Sequence, residues 1–254
     1  MKTVLLLSIA IIVLLVVGVL VYLKFNNKLL NERDAFILTG LSNSGKTTLF
    51  TLLRTGLMLP THTSLKSNEA LVRPVDEEGE PLTEKMMKII DVPGHDKLRA
   101  QLINKYENSI KGIVFMIDAF SATRNIIKVS EALYDILSQP FVIENSLPIL
   151  IIANKSDLAT SISIPRLKSL LESEIDKQRE SKSSSLMESL GEENEEQSNV
   201  FLGYENKKFE FTDLNTNSVD FLSLSLGSLP KTKDGKNSVN YNQLREILNW
   251  TESC

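Results

Sequence analysis

Residues 40–47 constrain the fold of this chain more than any other stretch, because they follow the pattern of a phosphate-binding loop. A short apolar run precedes them and an amphipathic helix pattern follows, which is the strand–loop–helix context that this motif requires. The loop consists of Gly40, Leu41, Ser42, Asn43, Ser44, Gly45, Lys46 and Thr47. Backbone N–H groups of such a loop face phosphate oxygens, Lys46 would neutralise the β- and γ-phosphates, and the Thr47 hydroxyl would take a Mg²⁺ position.

Two later segments supply the remaining parts of a phosphate site. In nucleotide switch proteins a threonine in the loop after this helix contacts Mg²⁺ and senses the γ-phosphate. We choose Thr63 for this role, with Thr61 and Ser64 as near alternatives and an exposed Thr/Ser loop as the competing interpretation. Asp91 ends a strand pattern, where it can hold the water shell of Mg²⁺, and Gly94 can give its N–H to the γ-phosphate. Asp-x-x-Gly alone is a common turn, but its position after a phosphate loop makes it specific.

His95 follows that glycine, where many such proteins carry the glutamine that orients the attacking water. A ring nitrogen of histidine can do the same. The alternative is a residue of the switch loop with no part in catalysis. We therefore treat His95 as the candidate catalytic residue.

A third motif, Asn154-Lys155-Ser156-Asp157, follows another strand pattern and selects the base. The Asp157 carboxylate can accept hydrogen bonds from guanine N1–H and the exocyclic amine, whereas adenine presents the opposite pattern. Asn154 would brace the neighbouring loops, and the stem of Lys155 would lie over the base. These four residues alone could be a helix cap. After two phosphate motifs at strand ends, they predict a guanine site.

The strand patterns predict the fold class. Unbroken apolar runs at 112–118 and 147–153 are typical of parallel strands buried on both faces. Strand and helix patterns alternate, which predicts an α/β fold with a doubly wound, mainly parallel sheet and the nucleotide across the carboxyl ends of its strands.

Other segments carry more local predictions. An acidic turn at 76–80 is expected to be a hairpin tip between two edge strands. A helix over 127–137 is expected to end before Pro140, and another helix is expected over 164–178. The Ser- and Glu-rich residues 177–199 are either a solvated extension of that helix or a disordered insertion.

Charge and cysteine content exclude several classes of function. A formal net charge of −4 gives no support to direct nucleic-acid binding, which requires a basic face. Cys254 is the only cysteine, so we expect no intramolecular disulfide, and we do not expect prenylation, which requires three residues after the cysteine. The two histidines are too few for a zinc centre.

The N-terminus predicts a membrane anchor. Residues 3–23 carry no charged side chain and are almost entirely Leu, Ile and Val. About 20 apolar residues span a bilayer as a helix, whereas the apolar part of a cleaved signal peptide, the alternative, has ~7–15. We expect an anchor at 1–24, a linker at 25–33 and a GTPase domain at 34–254 that includes an acidic insertion at 177–200. Lysines and arginines after the anchor lean weakly toward a cytosolic domain, and the absence of disulfides agrees with a reducing compartment.

With these motifs in place, the chain resembles the Arf/Sar-like small GTPases, and among them the beta-subunit family of the signal recognition particle receptor. The resemblance covers nearly everything after the anchor and is carried by residues 40–50, 61–64, 91–95, 154–157 and 209–211. Small GTPases mostly use lipid anchors, so an N-terminal span before such a domain is the arrangement that this resemblance implies.

The resemblance implies GTP and Mg²⁺ as ligands, Thr48 as a further residue of the phosphate site, and Thr63 as the switch threonine. It implies a metal site around Thr47, Thr63 and Asp91. The guanine-contacting Ser-Ala-Lys loop of the family corresponds here to Ser225-Leu226-Gly227. Leu226 would offer its backbone N–H to the base. The loop has Gly227 where the family has a lysine, so one side chain that would stack on the base is missing. This difference is expected to affect nucleotide affinity rather than the choice of base.

The resemblance also implies a location and partners. The anchor would lie in the endoplasmic reticulum membrane with the GTPase domain in the cytosol. The GTP-bound form would hold the alpha subunit of the receptor, so that ribosomes with nascent chains reach the translocation channel.

Two functions compete at this point. The first is a regulatory switch whose output is partner binding, with slow or partner-dependent hydrolysis, because no arginine is obviously placed as a finger. The second is an Arf/Sar-type GTPase of vesicle traffic, which a reversibly inserting amphipathic helix would favour and the uninterrupted apolar span opposes. A P-loop ATPase or kinase is excluded by Asp157, which selects guanine.

Overall fold

A six-stranded sheet forms the centre of the molecule. The computed structural model describes residues 33–76, 79–189, 201–204, 207–214, 218–226 and 241–254, together with Gly18. The strands are β1 Ala35–Thr39, β2 Asn68–Val72, β3 Met87–Asp91, β4 Ile110–Asp118, β5 Ile149–Asn154 and β6 Val219–Ser223. Their spatial order is β2-β3-β1-β4-β5-β6. Only the β2–β3 pair is antiparallel, so the predicted, mainly parallel sheet is confirmed.

The apolar runs predicted as buried strands are β4 and β5. Every residue of β5 is buried, and in β4 only Lys111 and Asp118 keep partial exposure. Both strands have parallel neighbours on each side. Because helices then cover both faces, neither face of these strands can be polar, and the sequence is apolar without alternation.

Helices pack on both faces of the sheet. In the described part of the chain they are α1 Lys46–Thr55, α2 Asp96–Lys105, α3 Ala122–Leu137, α4 Pro140–Glu144, α5 Ile164–Ser189 and α6 Tyr241–Ser253. One apolar cluster joins α2, α3, α4 and α5 to the face that carries Phe115. A second cluster joins α1 and α6 to the face that carries Met116. The doubly wound arrangement is therefore confirmed.

The predicted hairpin has only one edge strand, so the prediction of two was wrong. β2 lies at the edge, but β3 pairs with β2 on one side and with β1 on the other, where Phe36 lies opposite Ile89. The bridge between Val75 and Pro81 closes the turn as expected. An interior place for β3 agrees with its burial, since four of its five residues are buried and Lys88 is partly exposed.

Pro140 starts a helix that the sequence analysis missed. α3 ends at Leu137, before Pro140, as expected. The short helix α4 then begins at Pro140 itself. Proline is favoured at the first position of a helix because its missing N–H needs no partner there. The same residue therefore marks both a stop and a start.

Helix α5 continues beyond its predicted end. Residues 177–189 belong to this helix, so the helix-extension alternative holds for them, while residues 190–200 lie outside the described part. The extension is not fully solvated, because Arg179 is buried. Its guanidinium donates hydrogen bonds to the carbonyls of Leu202 at 2.9 Å and Lys207 at 2.7 Å. Arg179 thus ties the chain that returns to β6 onto the helix.

Across the described residues, we find no helix with the length and apolar character needed to cross a bilayer. The predicted anchor at 1–24 and the linker at 25–33 lie outside the described residues except for Gly18 and Arg33.

Candidate functional site at the carboxyl edge of the sheet

The predicted motifs meet at one edge of the sheet. Residues 40–47 connect the end of β1 to α1, while Asp91, Asp118 and Asn154 end β3, β4 and β5. These four strands are parallel, so their carboxyl ends lie at the same edge, where α/β proteins bind ligands. A cavity of about 110 Å³ opens there between the phosphate loop and two segments, residues 61–64 and 92–94.

The phosphate loop has a shape that only glycine allows at Gly45. This residue has a φ of 97°, in the left-handed region that L side chains rarely adopt. A Cβ here would lie 2.2 Å from Nδ2 of Asn154. That nitrogen donates a hydrogen bond of 2.8 Å to the carbonyl of Ser44. The close approach of Asn154 therefore holds the phosphate loop against the base motif.

Lys46 is a buried cation with few partners. Its Nζ donates to the carbonyl of Leu41 at 2.7 Å and lies 3.5 Å from Oγ of Ser44. Burial lowers the pKa of Lys46 to about 8, although the charge of Asp91 opposes this shift. Phosphate oxygens placed beside Nζ would stabilise the charged form, so the side chain suits the predicted anion.

Thr47 and Asp91 form the predicted metal position. The Thr47 hydroxyl donates to Oδ2 of Asp91 at 2.8 Å, and Nδ2 of Asn68 donates to the same oxygen at 3.1 Å. The other oxygen, Oδ1, is buried and has no hydrogen-bond partner within the described chain. Burial raises the pKa of Asp91, and the hydrogen bond from Thr47 opposes this. A hard cation or its water shell would supply the missing partner, so the residues present fit Mg²⁺.

Thr47 and Asp91 supply few oxygen ligands for a cation. Among the described residues there is no group of three or more His, Cys, Asp or Glu side chains that could ligate a metal. Mg²⁺ is commonly held by one or two protein oxygens together with phosphate and water oxygens. A cation at Thr47 and Asp91 would share these ligands with phosphate and water oxygens.

Residues 61–64, which include the predicted switch threonine, border the cavity. Thr63 is exposed and lines the cavity, so its proposed role in holding the cation stays a prediction. Ser64 contacts the predicted metal position, since its Oγ is 3.3 Å from Oγ1 of Thr47. Thr61 pairs with the hydroxyl of Thr48 at 3.1 Å. Thr48 therefore lies beside the switch segment as well as the phosphate loop.

Gly94 lies against the phosphate loop. A Cβ on Gly94 would be 2.4 Å from the backbone nitrogen of Ser42, so no other residue fits this approach. His95 caps the N-terminus of α2, and its side chain is exposed and does not line the cavity. A catalytic role for His95 would require the loop to move, and the role remains a prediction.

The base motif is linked to the loop after β6. Oδ1 of Asn154 accepts the backbone N–H of Leu226 at 3.3 Å. The carboxylate of Asp157 accepts the hydroxyl of Ser225 at 2.6 Å. Lys155 has a φ of 62°, which turns the chain sharply after β5. The structure thus brings Asp157, Ser225 and Leu226 together, while residue 227 lies outside the described part.

Two positioning residues of this region were missed. Asp118 accepts the Nζ of Lys155 at 2.8 Å. Partial burial raises the pKa of Asp118, but the hydrogen bond and charge of Lys155 outweigh this and hold the pKa below its usual value. Gln243 on α6 accepts the backbone N–H of Ser225 at 3.2 Å. The position of Asp118 at a strand end was a usable signal, whereas the sequence around Gln243 carries none.

Comparison with known proteins gives a consistent family. The family model for the signal recognition particle receptor beta subunit matches residues 31–219 of this chain. The beta subunit of this receptor from Mus musculus is 32% identical over 247 residues, covering 96% of this chain and 86% of the mouse protein. The beta subunit from Dictyostelium discoideum is 33% identical over 221 residues, covering 84% of this chain and 72% of that protein.

Solved structures agree with the sequence comparisons. The mammalian signal recognition particle receptor matches with a TM-score of 0.65 and 29% identity, covering 84% of this chain and 97% of that one. The SRb-GTP/SRX complex from Chaetomium thermophilum matches with a TM-score of 0.58 and 25% identity, covering 77% and 92%. The fold is that of a small GTPase, and the chain belongs to the signal recognition particle receptor beta-subunit family.

Proposed function

We propose that this chain is the membrane-anchored, GTP-binding subunit of the signal recognition particle receptor. The observation that carries the proposal is the double contact of Asn154. Its Nδ2 bonds the phosphate loop at Ser44, and its Oδ1 bonds Leu226 beside Asp157. One side chain therefore fixes the distance between a phosphate site and a guanine site, as a ligand carrying both groups requires.

At the base end, Asp157 selects guanine. Its carboxylate now accepts the Ser225 hydroxyl, and in the complex it would accept guanine N1–H and the exocyclic amine instead. The backbone N–H of Leu226 would donate to the guanine carbonyl. Lys155, held by Asp118, would lie along the face of the base.

At the phosphate end, Lys46 and the backbone of residues 40–48 hold the phosphates. Thr47, Asp91 and a switch hydroxyl, Thr63 by our choice, would hold Mg²⁺. A bound cation would supply charge neutralisation for the phosphates. Thr47 and Asp91 are already joined by their hydrogen bond, so little rearrangement is needed on the protein side.

The output of the site is partner binding. Thr63 and Gly94 lie on the two segments that border the cavity, so a γ-phosphate held between them would order both. We propose that this ordered surface holds the alpha subunit of the receptor. The Chaetomium thermophilum relative, named as an SRb-GTP/SRX complex, supports a GTP-dependent partner for this family. Contact with a ribosome or the translocation channel would follow through that heterodimer.

Residues 1–24 would anchor the chain in the endoplasmic reticulum membrane, with residues 25–33 as a linker and residues 34–254 in the cytosol. Support comes from the uncharged run at 3–23 and from membership in a family of receptor subunits. Hydrolysis would be slow or partner-dependent. His95 would orient water only after the loop that carries it turns toward the cavity.

A binding experiment with the purified full chain in detergent tests this function. Loaded with a non-hydrolysable GTP analogue and Mg²⁺, the chain should bind purified alpha subunit, and loaded with GDP it should bind it much more weakly. Equal binding in both states contradicts the switch. Binding of vesicle coat components without the alpha subunit would favour the Arf/Sar-type traffic function.

A further inference from the structure

Arg99 is a buried arginine close to the phosphate site that the function above does not use. It lies in the first turn of α2, where its N–H donates to the carbonyl of His95 at 2.8 Å. The residue is only 4% exposed. Side chains on a helix point back toward its N-terminus. The guanidinium pairs with Asp96, the first residue of α2, so it lies at the end of the helix that follows Gly94, and Gly94 lies against the phosphate loop.

Within the described part of the chain, Nη1 of Arg99 is buried and makes no hydrogen bond. Its Nη1 lies 2.9 Å from Oδ1 of Asp96, but at angles that make no hydrogen bond. The side chain of Asp96 is itself 79% exposed, so the pair is weakened by solvent. A buried cation with one solvated partner is costly unless another anion completes its contacts.

The charge of Arg99 also acts on the phosphate site. Burial is the main cause of the low pKa of Lys46, and repulsion from Arg99 lowers it further. Two cations thus act on the same region, where the buried carboxylate is that of Asp91, which hydrogen-bonds to Thr47. The second carboxylate, that of Asp96, is exposed and screened by solvent, so it balances the buried cations only weakly and leaves the region suited to a negatively charged ligand.

We propose that Arg99 is a specificity-determining residue that distinguishes a nucleoside triphosphate from a diphosphate. The terminal phosphate supplies the acceptors that the guanidinium lacks, and Asp96 holds Arg99 until that phosphate arrives. Because Arg99 does not line the cavity, its contact with the phosphate shifts α2 and the loop around Gly94. This inference rests on the proposed guanine nucleotide site, and it gives the switch a cation on the moving helix itself.

The test compares two affinities of the full chain in detergent with Mg²⁺: that for GDP and that for a non-hydrolysable GTP analogue. In Arg99→Met the affinity for the triphosphate should fall about tenfold, while GDP affinity stays within about twofold, because one charge-assisted hydrogen bond is lost only with the triphosphate. Arg99→Lys should restore part of the difference. The matched control is Arg166→Met, an exposed arginine on α5, which should change neither affinity.

Asp96→Asn provides a second test that leaves the buried side chain in place. Removal of the carboxylate should raise triphosphate affinity severalfold without changing GDP affinity. Equal losses for both nucleotides in Arg99→Met, or no change of ratio in Arg99→Lys and Asp96→Asn, would show that Arg99 only supports the fold. If the unmutated chain binds neither nucleotide, the proposed function fails together with this inference.

Discussion

The phosphate end and the base end of the candidate site differ in whether their polar groups already have hydrogen-bond partners. At the phosphate end, Oδ1 of Asp91 and Nη1 of Arg99 are buried without hydrogen-bond partners in the part of the chain described here. At the base end, Lys155 pairs with Asp118 and Asp157 pairs with Ser225. Asn154 is bonded at both ends of its amide.

This difference separates affinity from selectivity. A ligand at the phosphate end adds partners to groups that have none, so each contact is gained without breaking another. A ligand at the base end meets a carboxylate that already accepts the Ser225 hydroxyl, so it competes with or adds to an existing partner. The carboxylate of Asp157 only accepts hydrogen bonds, so it favours a base with two adjacent N–H donors, which guanine has and adenine lacks.

The largest change in nucleotide binding is expected from Asp157→Asn at the base end. We expect GTP affinity to fall on the order of 1,000-fold, because two hydrogen bonds to a charged acceptor are lost, and xanthine nucleotides to become the preferred ligands. Isothermal titration calorimetry with GTP, ATP and XTP measures this directly. Unchanged GTP affinity would contradict base recognition by Asp157.

A matched carboxylate controls for that substitution. Asp135→Asn changes an exposed side chain on α3, remote from the strand ends. It should leave the affinity for all three nucleotides unaltered. A loss in this variant would mean that nucleotide binding responds to net charge rather than to the geometry of the base end.

Nucleotide affinity should depend on pH through Lys46 at the phosphate end. Because Lys46 has a pKa of about 8, it loses its proton above that value unless a phosphate restores the charge. Nucleotide binding then takes up a proton, and affinity should fall by up to about tenfold for each pH unit above the folded pKa. Titrations at pH 9 in two buffers of different ionisation enthalpy measure the uptake. A flat profile between pH 7 and 9.5 would show that Lys46 does not titrate in this range.

Local patterns allowed much of this site to be predicted. Residues 40–47 and 154–157 are contiguous, and each follows a strand whose apolar run is visible in the sequence. Since parallel strands end at one edge, their meeting there followed from the fold class.

What was missed depends on partners distant in the sequence. The interior place of β3 follows from its pairing with β1, which no property of either strand alone specifies. The contact between Gln243 and Ser225 depends on where α6 docks. A polar residue in an unremarkable helix gives no sign of such a contact, because its partner is chosen by packing of the second apolar cluster.

The substitution with the smallest expected effect tests whether a residue outside the 154–157 motif helps to hold the base end in place. Asp118→Asn removes the anion that fixes Lys155 but leaves Asp157 in place. We expect GTP affinity to fall about tenfold, the loss of one charge-assisted hydrogen bond, with the preference for guanine unchanged.

The pKa of Asp118 adds a signature on folding. Because its pKa in the folded chain is depressed, the carboxylate stabilises the fold above its unfolded pKa, and this stabilisation is lost as pH falls through the folded value. Acid unfolding of Asp118→Asn should therefore be less steep than that of the unmutated chain. If the variant instead accepts ATP, then Asp118 takes part in choosing the base, and selectivity at this end depends on the end of β4 as well as on Asp157.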